Sequence, residues 1–167
     1  STNGLSTSVA YSVDGIRTFT IEGNINYAGA VISWLKNDLE LIEDANETQK
    51  IILESNPNDK TVLVPAFTGL GAPYWNMHAK AMFYGMTRTT TWKVKASVES
   101  IAYQITGILN AMENDTGISM KEVKADGGPS KNQYLMQFLA ECAQNTVCVC
   151  LQEELSATGV AYMAGLT

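Results

Sequence analysis

The run Val123-Lys-Ala-Asp-Gly-Gly-Pro-Ser-Lys-Asn132 constrains the fold more than any other stretch, because it takes a short strand through paired glycines directly into a helix. Glycine lacks Cβ, so Gly127 and Gly128 can adopt positive φ and let a ligand lie against the main chain. The helix that follows brings unpaired N–H groups and the positive end of a dipole, both favourable to an anion or a polar ligand edge. Ser130 and Gln133 have the spacing of a capping box, which predicts where that helix begins. On local sequence alone two readings stay open, a tight turn and a phosphate or nucleotide platform.

The remaining elements alternate. Residues 5–13 and 16–21 read as strands joined by Asp14-Gly15, the strongest short signal for a hairpin. Ala28, Val31, Ile32, Leu35 and Leu39 then recur at helical spacing, with Gly29 in the first turn. The alternative reason for Gly29 is close helix packing. Residues 47–54 form a short helix closed by Asn56-Pro-Asn-Asp59 and are assigned no chemistry. Residues 61–66 and 81–86 read as strands, the first central in its sheet. Between them the apolar loop 68–75 must dock on something, and Tyr74 and Trp75 either anchor it to the core or stack on a ligand.

Thr89-Thr-Thr91 offers hydroxyl caps to the longest helix, where Val94, Val98, Ile101, Ile105, Ile108 and Met112 step by three and four, with Gly117 at its exit. Glu99 on its flank reads as a solvated or paired charge. After the central loop come a helix with Leu135, Phe138, Leu139 and Cys142 on its inner face, a strand over 146–151, and a segment over 156–166 whose small residues allow close helix packing. The alternation predicts an α/β domain with helices against a mixed sheet.

At 167 residues and 46% hydrophobic content the chain can bury one proper core, which predicts a single domain over residues 1–167. A formal charge of −6 argues against a nucleic-acid partner, since such proteins carry a basic face. No apolar run is long enough for a membrane span and the amino end lacks a signal-peptide pattern, so no membrane partner and a cytoplasmic location are expected. Three cysteines without a spaced framework fit that placement, and a lone His78 gives no metal-ligand spacing, so no metal site is expected.

Five motifs then occur in a fixed order: Val64-Pro-Ala-Phe-Thr-Gly-Leu-Gly-Ala-Pro-Tyr-Trp75, Tyr84-Gly-Met-Thr-Arg88, Ser97-Val-Glu-Ser-Ile-Ala-Tyr-Gln104, Asp126-Gly-Gly with Asn132, and Ala157-Thr-Gly-Val-Ala-Tyr-Met-Ala-Gly-Leu166. This order resembles the carboxy-terminal half of the FGGY carbohydrate kinases, most of all those acting on glycerol, and the likeness covers nearly the whole chain. It implies an actin-like ATPase, ribonuclease-H-like fold. It also implies the ATP-binding lobe of a two-lobe kinase that moves the γ-phosphate of ATP, with Mg2+, to a hydroxyl of glycerol or a related polyol or sugar.

Xylulose- and gluconate-type members are the alternatives within the family. An acetate-kinase or hexokinase relative and a non-catalytic actin-like regulatory or interaction domain are the alternatives outside it.

By the same resemblance, Gly128 and Asn132 contact the adenine end of the nucleotide, Gly127 gives close backbone approach, and Gly29 and Ser33 face it across the pocket. Ser33 stands where the family has a glutamine, which shortens that contact. Asp126 either holds the loop by accepting main-chain N–H groups or reaches a hydrated magnesium. Residues 44–58 correspond to a peripheral insertion, and the loop 68–75 helps to shape the cleft between the lobes. The catalytic aspartate and most acceptor contacts belong to the other lobe. No catalytic residue is therefore expected in this chain, which alone should be inactive. Whether it forms a homo-oligomer is left open by the sequence.

Overall fold

Asp14 and Gly15 both lie at positive φ, 48° and 78°, as a two-residue type I′ turn requires. In the computed structural model of the protein, which describes residues 1–89, 91–150 and 155–165, they join β1 (Ser6–Val13) to β2 (Ile16–Glu22) as an antiparallel hairpin. The register slips between Val9 and Tyr11, the mark of a bulge. β3 (Val62–Val64) and β4 (Met82–Tyr84) form a second antiparallel pair, and β5 (Glu122–Ala125) runs parallel to β6 (Thr146–Val149).

The α/β alternation holds, with the strands distributed over three two-stranded ladders. Among the described residues β3 thus pairs with β4 alone and is not the centre of a wider sheet. β6 stops at Val149, short of the expected end at residue 151; the Cys150 N–H still reaches the Ala125 carbonyl at 2.8 Å, and residue 151 lies outside the described residues.

The spine is α3 (Trp92–Thr116), 25 residues ended by Gly117 in the left-handed conformation, whose N–H returns to the Glu113 carbonyl. At 1.5 Å per residue it runs for about 37 Å. That is long enough to serve two cores. Its first half, through Val94, Val98 and Ile101, packs against α1 (Gly29–Asn37), α2 (Glu47–Glu54) and α4 (Gln133–Ala143), burying Val31, Leu35, Ile52, Leu135 and Leu139. Its second half, through Ile108 and Ala111, covers Leu5 and Ala72. Thr91 takes the N-cap position without a side-chain cap bond.

Glu99 is paired but not solvated. Only 6% exposed, its carboxylate accepts from the Tyr134 hydroxyl and lies 3.9 Å from the Lys95 ammonium. Burial pushes its carboxyl above the ordinary range, against the pull of Tyr134 and Lys95. The loop 68–75 is tied down by Trp75, whose indole donates to the Gly4 carbonyl at 2.6 Å, and by Ala72 in the second core, while Tyr74 and Trp75 stay more than half exposed.

The final helix, α5 (Leu155–Ala164), departs from expectation. It buries none of its residues, Val160 and Tyr162 are more than two-thirds exposed, and a Cβ added at Gly159 would meet nothing within 4 Å. Its small residues do not serve close packing on the described residues.

Asp59 ties β3, β4 and α3 together. Its Oδ1 accepts from the Thr61 N–H at 2.9 Å, its Oδ2 from the Thr87 hydroxyl at 2.7 Å, and Lys95 donates to its carbonyl at 3.0 Å. The bonds from Thr61, then Thr87, hold its carboxyl below the usual range. A depressed folded-state pKa contributes stability above the unfolded value, lost as pH falls through the folded one. Asp59→Asn should therefore destabilise the protein at pH 7 and flatten the acid limb of its stability curve below about pH 4. Urea midpoints between pH 7 and pH 2.5 measure this, and an unchanged slope would exclude the role.

Candidate functional site: a cleft between three helices

A cleft of about 910 Å³ opens where α1, α2 and the start of α4 converge over α3. Val98, Ile101 and Leu135 give it an apolar floor, and polar side chains of α1, α2 and the central loop rim it. Of the five expected contact residues, Gly29, Ser33, Gly128 and Asn132 line it together, although a hundred residues of chain separate the first pair from the second. Gly127 does not line the cleft. Its φ of 83° turns the chain out of β5 and sets up the residues that do.

The glycines separate packing from ligand access. A Cβ added at Gly29 or Gly128 would meet nothing within 4 Å. Close helix packing, the alternative reason for Gly29, is not seen among the described residues. Ser33, one turn on and exposed, has its hydroxyl 3.4 Å from the Gly29 carbonyl within α1.

The helix start lies two residues later than the capping-box spacing predicts. Gly128–Lys131 forms a short 3-10 turn with Pro129 in its opening positions, and the Ser130 hydroxyl donates back to the Gly127 carbonyl at 2.7 Å. Asn132, not Ser130, is the N-cap of α4: its Oδ1 accepts from the Leu135 N–H at 3.0 Å. Proline suits the first turn of a helix because its missing N–H would be unpaired there. The Gln133 N–H goes to Gln49 Oε1 at 3.0 Å. At least these two donors of the helix end are therefore satisfied by protein. Asp126 is exposed, and its carboxylate accepts no hydrogen bond among the described residues, so the loop-holding role is not seen.

The larger correction concerns α2, which is a cleft wall and no peripheral insertion. Thr48 is 1% exposed and shares its inward face with Ile52; Gln49, Lys50 and Leu53 line the cavity. Thr48 Oγ1 accepts from Asn132 Nδ2 at 3.0 Å and donates to the Ala45 carbonyl at 2.6 Å. The sequence signal was the i, i+4 pairing of Thr48 with Ile52, which marks a buried face. Nothing local indicated what that face would meet.

The sequence profile of the FGGY family of carbohydrate kinases, C-terminal domain, matches residues 1–167. The glycerol kinase of Ligilactobacillus salivarius is 41% identical, aligned with 99% of this chain and 33% of its own length; that of Brevibacillus brevis is 44% identical, over 99% and 34%. Among solved structures, Plasmodium falciparum glycerol kinase with ADP superposes with a TM-score of 0.90 at 36% identity, covering 99% of this chain and 34% of that one. A xylulose kinase from Lactobacillus acidophilus shares the fold at a TM-score of 0.74 and 21% identity, over 98% and 34%. The chain spans about a third of the length of these relatives. Its fold is the actin-like, ribonuclease-H-like α/β fold of these kinases, and the chain belongs to the FGGY family of carbohydrate kinases, in which it constitutes the C-terminal domain.

Proposed function

We propose that residues 1–167 are the nucleotide-binding lobe of a kinase that transfers the γ-phosphate of ATP to a hydroxyl of glycerol or a related polyol, the acceptor being held chiefly by a preceding lobe. The observation that carries this reading is the convergence of Gly29, Ser33, Gly128 and Asn132 on one apolar-floored cleft, with open space where two side chains would stand. A flat base fits that arrangement. Val98, Ile101 and Leu135 supply an apolar face, the two glycines allow approach to the main chain, and Asn132 supplies an amide edge.

The two internally satisfied donors at the start of α4 favour the base end of the nucleotide over its phosphates at this point. The likeness to a glycerol kinase whose structure holds ADP supports the same assignment. ATP supplies the phosphoryl group, and Mg2+ would neutralise its phosphate charge while held mainly by those phosphates and water. A location in the cytoplasm accompanies the reading; among the described residues no helix is long and apolar enough to cross a membrane.

Gly29→Leu tests the site with the fold left intact, since its side chain would project into empty space. In the full-length protein it should weaken ADP binding at least tenfold while leaving the melting temperature unchanged or slightly raised, leucine being the better helix former. Ligand-observed NMR and thermal unfolding measure the two quantities. Undiminished ADP affinity would remove the cleft from consideration.

A further inference from the structure

We infer that Thr48 is a positioning residue that sets the preference of this cleft for adenine over guanine. The inference rests on the nucleotide reading above. The Asn132 amide is fixed at both ends. Its oxygen accepts from the Leu135 N–H and its nitrogen donates to the Thr48 hydroxyl. The Thr48 hydroxyl has no freedom to reverse roles, because its own proton goes to the Ala45 carbonyl.

This donor chain, from Asn132 to Thr48 to Ala45, determines which end of the amide is oxygen and which nitrogen. A flip would set two N–H groups against each other at Leu135. After these bonds the amide retains one N–H and one oxygen lone pair. An adjacent donor and acceptor on a planar amide match the N7 acceptor and amino donor of adenine. Guanine presents two acceptors on the same edge.

Thr48 is fitted for this role by its place. It is 1% exposed, sits on α2 across the cleft from α4, and is joined to Asn132 over 84 residues of sequence. A valine there would keep the shape and remove the hydroxyl. The amide nitrogen would lose its anchor, and the amide would be held only by the bond from the Leu135 N–H. The cost falls on recognition of the base, and the chemistry at the far end of the nucleotide is untouched.

The test measures ADP and GDP affinity by calorimetry in the full-length protein, for wild type, Thr48→Val, Thr48→Ser and the Asn132→Ala, Thr48→Val pair, with thermal unfolding as the control for folding. Thr48→Val should weaken ADP binding about five- to twentyfold and GDP binding less than twofold, so that the ADP-to-GDP preference shrinks. Thr48→Ser, which keeps the hydroxyl, should restore the preference to within about threefold. In the Asn132→Ala background Thr48→Val should have no further effect. In turnover, KM for ATP should rise with kcat within twofold of wild type.

An ADP-to-GDP preference unchanged in folded Thr48→Val would overturn the inference, as would an undiminished effect without Asn132. Both results leave the nucleotide reading standing if Gly29→Leu weakens ADP binding as expected. Failure of wild-type protein to bind either nucleotide would overturn both.

Discussion

Replacing Leu135 by alanine should lower the unfolding free energy of this domain by about 3 kcal/mol, within the range for burying a leucine and then deleting it. Leu135 is 2% exposed and stands where α4 meets α3, with one face in the core and the other forming the cleft floor. The loss combines the transfer free energy of the missing atoms with the vacancy that α3 and α4 cannot collapse into. For a chain of this size, 3 kcal/mol corresponds to a fall of roughly 6–12 °C in melting temperature. Because the same side chain carries the apolar floor, ADP affinity should fall as well, even where the variant is fully folded. Thermal unfolding with and without ADP measures both. A shift under 2 °C would mean that Leu135 is far less well packed than its burial indicates.

Gly69→Ala should be comparably damaging for a different reason. Gly69 has φ of 86°, and a Cβ there would lie 2.7 Å from the Met77 Cα and 2.8 Å from the Asn76 carbonyl oxygen. Those are main-chain atoms of a closed loop, where Leu70 and Asn76 exchange two backbone hydrogen bonds of 2.8 and 3.0 Å. They cannot swing aside as a side chain could. The left-handed conformation alone costs an alanine about 1–2 kcal/mol, and the overlap adds to it. Chemical denaturation should show a loss above about 2 kcal/mol, with the Trp75 indole bond to Gly4 disturbed as seen by tryptophan fluorescence. Wild-type stability in Gly69→Ala would contradict this account of why the loop carries glycine there.

Much of the fold was legible because it is written in short-range patterns. Asp14-Gly15 fixes the hairpin through backbone conformation alone, the three-four stepping from Val94 to Met112 fixes α3, and residues 47–54 emerged as α2. That Gly29, Ser33, Gly128 and Asn132 share one cleft was expected from the family resemblance and not from local pattern, since the paired glycines alone fit a tight turn equally well. What escaped was set by partners distant in sequence. Ser130 and Gln133 have a capping spacing, yet Pro129 and the 3-10 turn move the helix start to Asn132. The resemblance placed residues 44–58 at the periphery, and nothing within α2 reveals that Thr48 and Gln49 meet Asn132 and Gln133. The small residues of α5 suggested close packing, a property that depends on a surface rather than on the helix itself.

The ties from Thr48 to Asn132 and from Gln49 to Gln133 each close a loop of 84 residues. The hairpin and the β5–β6 pair close far shorter ones, and the entropy lost on closure grows with length. Contacts between distant parts of a chain carry a closure cost that must be met before they contribute, so the wall and rim of the cleft are joined by closures costlier than those of the hairpin or the β5–β6 pair. During synthesis, which delivers the amino end first, α2 emerges long before residues 132–135 exist, so its buried threonine waits for a partner that is made 84 residues later.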